Sequence, residues 1–509
     1  MPGTDDILTG LRDMADAEPG YIEAKENFEG TRPEFFASTK IARKIGESGK
    51  RFRLNIAKKP VTVLTDRLEI ASISVTGNDT ATARLREAVW DANELVLEAP
   101  IIHRKACEFG DEYVFLTEGE TPGTVEIERS GALTTRIIYD PEFPRRPKFG
   151  IKSWRVGTGE KKRIRVNLYY PLTDPEGGRL ERWITREGDK GTDAEHWIPY
   201  AETDVDGEET LPAVEELDRF PIYHFRTDRP YGTPVHRDAY GGQAALNKLM
   251  VTLMATVDQQ GYPTRYALTD GAVSEGGDDD DFGDLDDDTA GLLDTRNAEL
   301  DRGSKLKSGP GEVWWLDGAH KAGQFAAADP DAFLKPADWI VRMTAQATDT
   351  PLHMYDPGGD QPSGDSRRAA LDTLVKKVSF LSLSFGATWK RLLSDALAII
   401  GFAGLTVDVT WKPFDAVDDL EGWTTVKAKI DAGVHVRQAL LEAGYLPEQV
   451  EEWLTSTDEQ DLARKVAVLA EIAKVMRDLG TASGMGVVPA ELVEEIMSTI
   501  LPAREDEDA

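Results

Sequence analysis

Apolar positions along this chain follow short helical and alternating patterns in the first half and long helical stripes in the second. Residues 5–30 read as short helices. Val61–Leu64 and Leu68–Val75 alternate as strands do. Asn78 to Asn93 places Leu85, Ala88, Val89 and Ala92 on one helical face. Ile101–Phe109 reads as a further helix, ended by Gly110 where a left-handed residue is favoured. Tyr113–Leu116, Thr124–Glu128, Leu133–Tyr139, Arg163–Tyr170 and Leu180–Thr185 carry strand patterns. Residues 30–225 are therefore expected to form an α+β unit built on antiparallel hairpins.

The period changes after Pro234. Leu246, Leu249, Met250, Leu253, Met254 and Val257 form one helical stripe, predicting a helix over about 236–260, on the order of 35–40 Å long. Gly261-Tyr262-Pro263 stops it. Residues 269–330 are Gly- and Asp-rich, with a small strand cue at Glu312–Leu316. A second helix is expected over 331–348, then a breaker-rich loop (Pro351, Pro357, Gly358, Gly359, Pro362, Gly364). The longest helix is predicted from Ser366 to Ile400, carrying Leu371, Leu374, Val375, Val378, Phe385, Trp389, Leu392, Leu393 and Ala396, with a bend at Gly386. Val407–Trp411 reads as a strand and 424–454 as three short helices. Thr457-Asp458-Glu459-Gln460 is a capping box opening a helix that ends near Gly480. A final helix spans 489–500 before the acidic tail Arg504–Ala509.

Composition narrows the function classes. At 509 residues the chain is long enough for three to four structural units. The single cysteine, Cys107, excludes a disulfide framework and a cysteine-based zinc site within one chain. A net charge of −32 argues against a protein that coats DNA or an anionic membrane with its general surface, but leaves room for local basic patches. The acidic N-terminus carries no signal-peptide pattern, and no apolar run is long enough to span a membrane.

The common catalytic motifs are missing. Gly49-Lys50 follows Lys44 where a phosphate-binding loop has its first glycine. The seven histidines are scattered singly. Asp278–Asp288 holds eight aspartates in eleven residues, but Phe282 and Thr289 occupy positions that a calcium loop fills with oxygen ligands, the last a bidentate Glu. It reads as a solvated, self-repelling segment. No cofactor and no metal are expected.

Several local sequences form an ordered set along the chain. They begin with Asn27-Phe28-Glu29-Gly30 and Phe35-Phe36, then Leu54-Asn55-Ile56-Ala57 and Pro60 to Leu68. Trp90-Asp91-Ala92-Asn93 precedes His103 to Val114, which turns through Gly110. Tyr231-Gly232-Thr233-Pro234 leads into the first long helix with Gln243 and Asn247, Ser363-Gly364 introduces the second, and Ala443-Gly444-Tyr445-Leu446-Pro447-Glu448 closes the set. Taken in this order, these stretches resemble bacteriophage portal proteins, the head-to-tail connectors of long-tailed phages, and the resemblance covers about 20 to 480.

The resemblance implies an α+β portal-type fold in a ring, usually of twelve subunits, at one capsid vertex. Double-stranded DNA would pass through its channel during packaging and ejection. It implies a wing at 1–235 and 401–455, stem helices at 236–260 and 331–349, a clip at 261–330, a tunnel loop at 350–365, a long helix at 366–400 and a crown at 456–509. It implies, further, partners: terminase, head-completion or adaptor proteins, and major capsid and scaffolding proteins, with no membrane. The protein would assemble in the host cytoplasm and reside in the virion. Such a conduit is not an enzyme. From a different class, a nuclease-type enzyme of the packaging apparatus, or a capsid adaptor without a channel, remain the alternatives.

Within that scheme the tunnel-loop residues His353, Tyr355, Asp356 and Asp360, with Arg367, Arg368, Lys376 and Lys377 on the adjoining helix, are the candidates for DNA contact. Each cation could equally belong to a solvated face or an ion pair between subunits. Trp314 and Trp315 in the clip would be either a partner anchor or the small core of a β unit. The long helix carries further apolar residues at Phe380, Leu383 and Ile399, wider than a monomer needs, as packing between ring neighbours would require.

Overall fold

The computed structural model describes residues 2–32, 54–158, 162–203, 209–261, 265–269, 319–324, 331–355, 364–414 and 419–442, with short pieces at 450, 453–454, 464–468 and 470. The expected strand at Glu312–Leu316, the Asp278–Asp288 run, the capping box at 457–460 and the helix at 489–500 lie outside these residues, as do Phe35-Phe36 and the 443–448 motif. The chain forms two compact units. One comprises Met1–Thr31, Ala57–Asp238 and Ala345–Ala509, the other Arg32–Ile56 and Ala239–Thr344. The fold class is α+β.

The first unit opens with α1 (Pro2–Glu29), α2 (Lys58–Thr65) and β1 (Ile70–Val75). Next come α3 (Asp79–Leu85), which runs into a π-helical turn at Arg86–Asp91, and α4 (Leu95–Phe109). The strands β2 (Asp111–Glu118), β3 (Val125–Gly131), β4 (Thr135–Tyr139), β5 (Pro147–Val156), β6 (Arg163–Tyr170) and β7 (Arg179–Thr185) follow. Shorter strands are β8 (Trp197–Pro199), β9 (Glu202–Thr203), β10 (Glu209–Leu211) and β11 (Val214–Glu216), before β12 (Ile222–Arg226). All described strand pairs are antiparallel. One sheet has the order β12-β2-β3, and a larger one runs β11-β7-β6-β5-β4 with β8 beside β7.

These elements stack in layers. Val114 and Leu116 of β2 face a core shared with α4, while Tyr113 and Phe115 face Ile137, Tyr169 and Leu180 of the larger sheet. That double burial explains why β2 reads as a nearly continuous apolar run. The outer face of the larger sheet, with Phe149, Ile151, Leu168 and Trp183, is covered by Ile7, Leu11 and Met14 of α1.

Two sequence expectations fail here. The short helices expected over 5–30 are one helix of 28 residues, Pro2–Glu29, with Pro19 inside it. Gly10 lets that helix lie close on the sheet, since a Cβ there would come within 2.8 Å of Ile151. Val61–Leu64 is helical within α2, not a strand. Pro60, Val61, Val63 and Leu64 are buried together there, and core packing outweighs the β preference of valine. The helix expected over Asn78–Asn93 is present in two parts. Asn78 caps it by accepting from the Ala81 N–H, and after the π turn Ala92 is exposed rather than continuing the stripe. Strands β5 and β12 carried no strand expectation.

The second unit contains α5 (Tyr240–Gly261), the pair β13 (Arg265–Thr269) and β14 (Ala319–Gln324), and most of α6 (Asp331–Ala347). A Cβ on Gly242 would fall 2.1 Å from the Thr344 hydroxyl, so α5 and α6 approach closely there. The buried amides of Gln243 and Asn247 accept from the backbone N–H groups of Ile56 (2.7 Å) and Leu54 (2.9 Å). This ties the Leu54-Asn55-Ile56-Ala57 motif to the first long helix.

Beyond residue 363 the first unit adds α7 (Gly364–Ile399), β15 (Val407–Trp411), α8 (Asp419–Asp431) and α9 (Val436–Glu442). The α7 helix is continuous over 36 residues, and no break marks Gly386. Instead, a Cβ on Gly386 would meet the Trp411 indole at 3.3 Å. Glycine serves close approach of β15 here.

Candidate functional site

The loop joining α6 to α7 is built by helix-end chemistry. The Thr350 N–H bonds the Ala345 carbonyl at 2.9 Å across the end of α6, and Asp349 takes a left-handed φ of 52°, which aspartate tolerates better than most residues. Lys377 of α7 then clips this corner. Its ammonium donates to the Thr348 carbonyl (3.1 Å) and pairs with Asp349 (2.7 Å). Lys376 pairs with Asp372 one turn away on the same helix at 2.7 Å. Both candidate cations thus stand beside a carboxylate. Exposed pairs of this kind are worth little to stability, but they balance the charge at the loop root.

His353 and Tyr355 sit at a single 3₁₀ turn, Leu352–Met354, after Pro351. Tyr355 turns inward. Burial raises its phenol above the usual range, against an opposing pull from the Thr348 and Thr350 hydroxyls, which hold each other at 3.0 Å. Arg367 and Arg368 lie within the first five residues of α7 by their backbone. Asp356, Asp360, Trp314 and Trp315 lie outside the described residues. Lys376 and Lys377, with Thr227, Asp228, Thr233, Phe380 and Leu381, line an open cavity of about 490 Å³. Periodicity could not have found its Thr227–Thr233 wall, which lies about 150 residues away in sequence.

The α7 helix has two unlike sides. Leu374, Val378, Leu381, Phe385, Trp389, Leu392 and Leu393 are buried in the core of the first unit. Phe380 and Leu383 remain 60% and 72% exposed. On α6, Trp339 is 62% exposed. Lys390 and Arg391, also on α7, are engaged within the chain, by Asp408 at 2.8 Å and over the Tyr223 ring at 5.0 Å.

Behind the cavity wall, the motif around Gly110 packs on the motif around Gly232. A Cβ on Gly232 would fall 2.0 Å from the Gly110 carbonyl oxygen, and Gly110 itself holds a φ of 91°. The next residue, Asp111, is buried. Its carboxylate accepts from the Gly232 N–H (2.7 Å), the Tyr21 hydroxyl (2.7 Å) and His224 Nε2 (2.8 Å). Burial pushes Asp111 upward, but His224 and these donors outweigh it and hold the carboxyl below its usual range. Burial pulls His224 below its usual range against the opposing pull of Asp111, and its Nδ1 lies 2.8 Å from the Tyr139 hydroxyl. Asn93 of the other motif bonds the Val125 carbonyl and the Ile127 N–H, pinning β3. These buried groups fix strand ends and present no open reactive centre.

Among the described residues no group of three or more His, Cys, Asp or Glu side chains is placed to hold a metal ion, and no helix is long and apolar enough to cross a membrane. Cys107 is buried and its thiol is pushed up to about 12.

No family model matches the chain, and no curated protein matches it in sequence. Solved structures similar to it belong to gene transfer agent particles. A chain of the virion of a native particle is 14% identical, with 84% of this chain and 99% of that one covered at a TM-score of 0.42. A chain of the neck of an empty particle, computed with C6 symmetry, is 13% identical over 82% and 96%, with a TM-score of 0.42. A chain of the neck of a native particle, computed with C12 symmetry, is 15% identical over 84% and 99%, with a TM-score of 0.41. These likenesses are distant, and function is argued below from the chain's own residues.

Proposed function

We propose that this chain is the repeating subunit of a portal-type ring, a passive conduit for double-stranded DNA at a capsid vertex. The observation that carries the reading is the two-sided α7 helix. One side is buried in the subunit's core while Phe380 and Leu383 project outward, an apolar surface that a ring neighbour would cover. Two pairs of the portal-like motifs also support it, because they meet in space: Gly110 with Gly232, and Leu54–Ile56 with Gln243 and Asn247.

The loop at 350–365 is the part assigned to the DNA. Its root presents Lys376 and Lys377 already balanced by Asp372 and Asp349. Such a surface guides a polyanion without gripping it, because each fully neutralised phosphate strengthens binding steeply. Work on the DNA would come from a separate terminase. Residues 261–330 would dock terminase and later head-completion proteins, and Trp314 and Trp315 would serve there. The wing would meet capsid and scaffolding proteins, in a virion component assembled in the host cytoplasm.

Native mass spectrometry tests the assembly. Twelve chains of 56.1 kDa give about 670 kDa. A species of that mass, or of a neighbouring ring number, is expected. Incubation with linear DNA and Mg²⁺ or Mn²⁺ addresses the nuclease alternative, which robust cleavage would establish in its place.

A further inference from the structure

The α7 helix keeps one stripe open to solvent. Phe380, Leu383, Ala387 and Arg391, spaced i, i+3, i+7 and i+11, are all exposed and run about 17 Å along it. Strand β12 lies along one flank of this stripe. There the Ser384 hydroxyl donates to the Arg226 carbonyl at 2.9 Å and the Thr388 hydroxyl to the His224 carbonyl at 3.2 Å. Strand β15 lies along the other flank, where Lys390 meets Asp408. Three arginines gather on the β12 flank. We propose that Arg226, Arg229 and Arg391 form a carboxylate-binding cluster, on which Asp and Glu side chains of a second copy of this chain dock beside the apolar stripe. The cluster's role rests on the ring reading and adds to it the charge that a neighbour presents there.

The three arginines come from different elements and act at one side chain. Arg226 ends β12 and lies over the Tyr139 ring at 4.9 Å. Arg229 stands exposed in the turn after β12. Arg391 comes from α7 and lies over the Tyr223 ring at 5.0 Å. Burial raises the Tyr139 phenol, and Arg226, Arg391 and Arg229 all oppose that rise, so the three charges are felt at a single hydroxyl. Arg226 gives one donor to the Pro230 carbonyl at 2.5 Å. Among the described residues none of the three has an ion pair. The acids nearby are engaged: Asp395 accepts from the Tyr223 hydroxyl, Asp218 pairs with Arg219, and Asp111 is held by His224. The exposed Asp228 accepts from the Arg229 backbone N–H at 2.7 Å.

A guanidinium stacked on a ring is held in place and keeps its edge donors free, the geometry that takes a carboxylate through paired N–H bonds. A second copy suits this surface on two counts. The chain carries 91 Asp and Glu against 59 Lys and Arg, so it offers carboxylates in excess. The adjoining Phe380 and Leu383, 60% and 72% exposed, call for an apolar cover that a phosphate backbone lacks. Lone exposed pairs contribute little. A neighbour that covers the stripe removes water from the arginines beside it, and an uncompensated charge there costs heavily.

Sedimentation velocity over a concentration series, at 50 and 500 mM salt, compares wild type with Arg229→Glu/Arg391→Glu and with a control of equal charge change, Lys25→Glu/Arg84→Glu. Circular dichroism melting establishes that both variants fold. Wild-type rings should need more protein to assemble at the higher salt. At the lower salt the arginine variant should need about tenfold more protein than wild type, and the control should match wild type. In Arg229→Lys/Arg391→Lys, a carbodiimide, which couples an amine to a carboxylate, should join position 229 or 391 to an Asp or Glu of another copy. Mixing isotope-labelled and unlabelled chains identifies such links by peptide mass spectrometry. Rings that form equally well in the arginine variant, equal losses in the two variants, or assembled rings without such a link would overturn the cluster and leave the ring reading in place. Wild type without rings would overturn both. Intact rings in the arginine variant with loss of duplex DNA binding would assign the arginines to phosphate instead.

Discussion

The indole N–H of Trp389 donates to Nε2 of His103 at 2.8 Å, deep in the core of the first unit. His103 Nδ1 lies 2.9 Å from the Leu68 carbonyl, and its ring stacks on Phe385 at 5.4 Å. Nε2 accepts and Nδ1 donates, so the ring is the neutral Nδ1–H tautomer. The two hydrogen bonds of His103 join α7, α4 and the segment before β1.

Burial pulls His103 down to about 4 from an ordinary value of 6.5. The folded state therefore resists a proton that the unfolded chain accepts. Stability from this group is complete above about pH 6.5 and is lost as pH falls toward 4, an effect of about 3 kcal/mol. His103→Gln should flatten the acid limb of the melting temperature between pH 7 and 4. Trp389→Phe should cost about 1–3 kcal/mol at pH 7, because it leaves the Nε2 acceptor unpaired. Denaturant melts across pH check both.

Glu112 has the opposite sign. It is buried on β2, 3.7 Å from Arg129, and burial pushes its carboxyl up to about 7. Stability from a raised acid is present below about pH 4.5 and is lost as pH rises through 7. Glu112→Gln should raise the melting temperature at pH 8 and change it little at pH 4.5. Scanning calorimetry at the two pH values reads the difference.

Gly232→Ala should destabilise strongly, because the new Cβ would fall 2.0 Å from a backbone carbonyl that cannot yield. Gly77 also has a positive φ, of 71°, but open space around its Cβ position. Gly77→Ala should therefore cost only about 1–2 kcal/mol. Soluble yield and melting temperature separate steric conflict from backbone strain.

Leu383→Asp and Phe380→Asp alter exposed positions of α7 and should leave each subunit folded with a nearly unchanged circular dichroism spectrum. On the proposed assembly, the ring population should fall sharply for either variant. Analytical ultracentrifugation of both against wild type reads the outcome.

Local signals served the sequence reading well. Gly110 marked the end of α4, the apolar stripe from Leu374 to Ala396 marked α7, and the alternation in 163–185 marked β6 and β7. Val61–Leu64 misled because its strand-like residues are held in a helix by burial that only the folded core supplies. The pattern over 5–30 divides into short pieces, whereas α1 runs unbroken through Pro19 with Gly10 lying close on the sheet. The loop-root site was half legible. Lys376 and Lys377 were singled out for charge, but their partners Asp372 and Asp349, and the wall from Thr227 to Thr233, come from folding. Asp111 and His224 are 113 residues apart, and no spacing rule joins them.

The central claim is a ring with a bore, and cryo-electron microscopy of the purified full-length protein tests it most directly. Closed rings, twelve-fold or near it, are predicted, with a central opening of at least about 20 Å and Phe380 and Leu383 covered by a neighbouring subunit. Monomers or dimers alone across a range of concentration and salt, or rings closed at the centre, would contradict it.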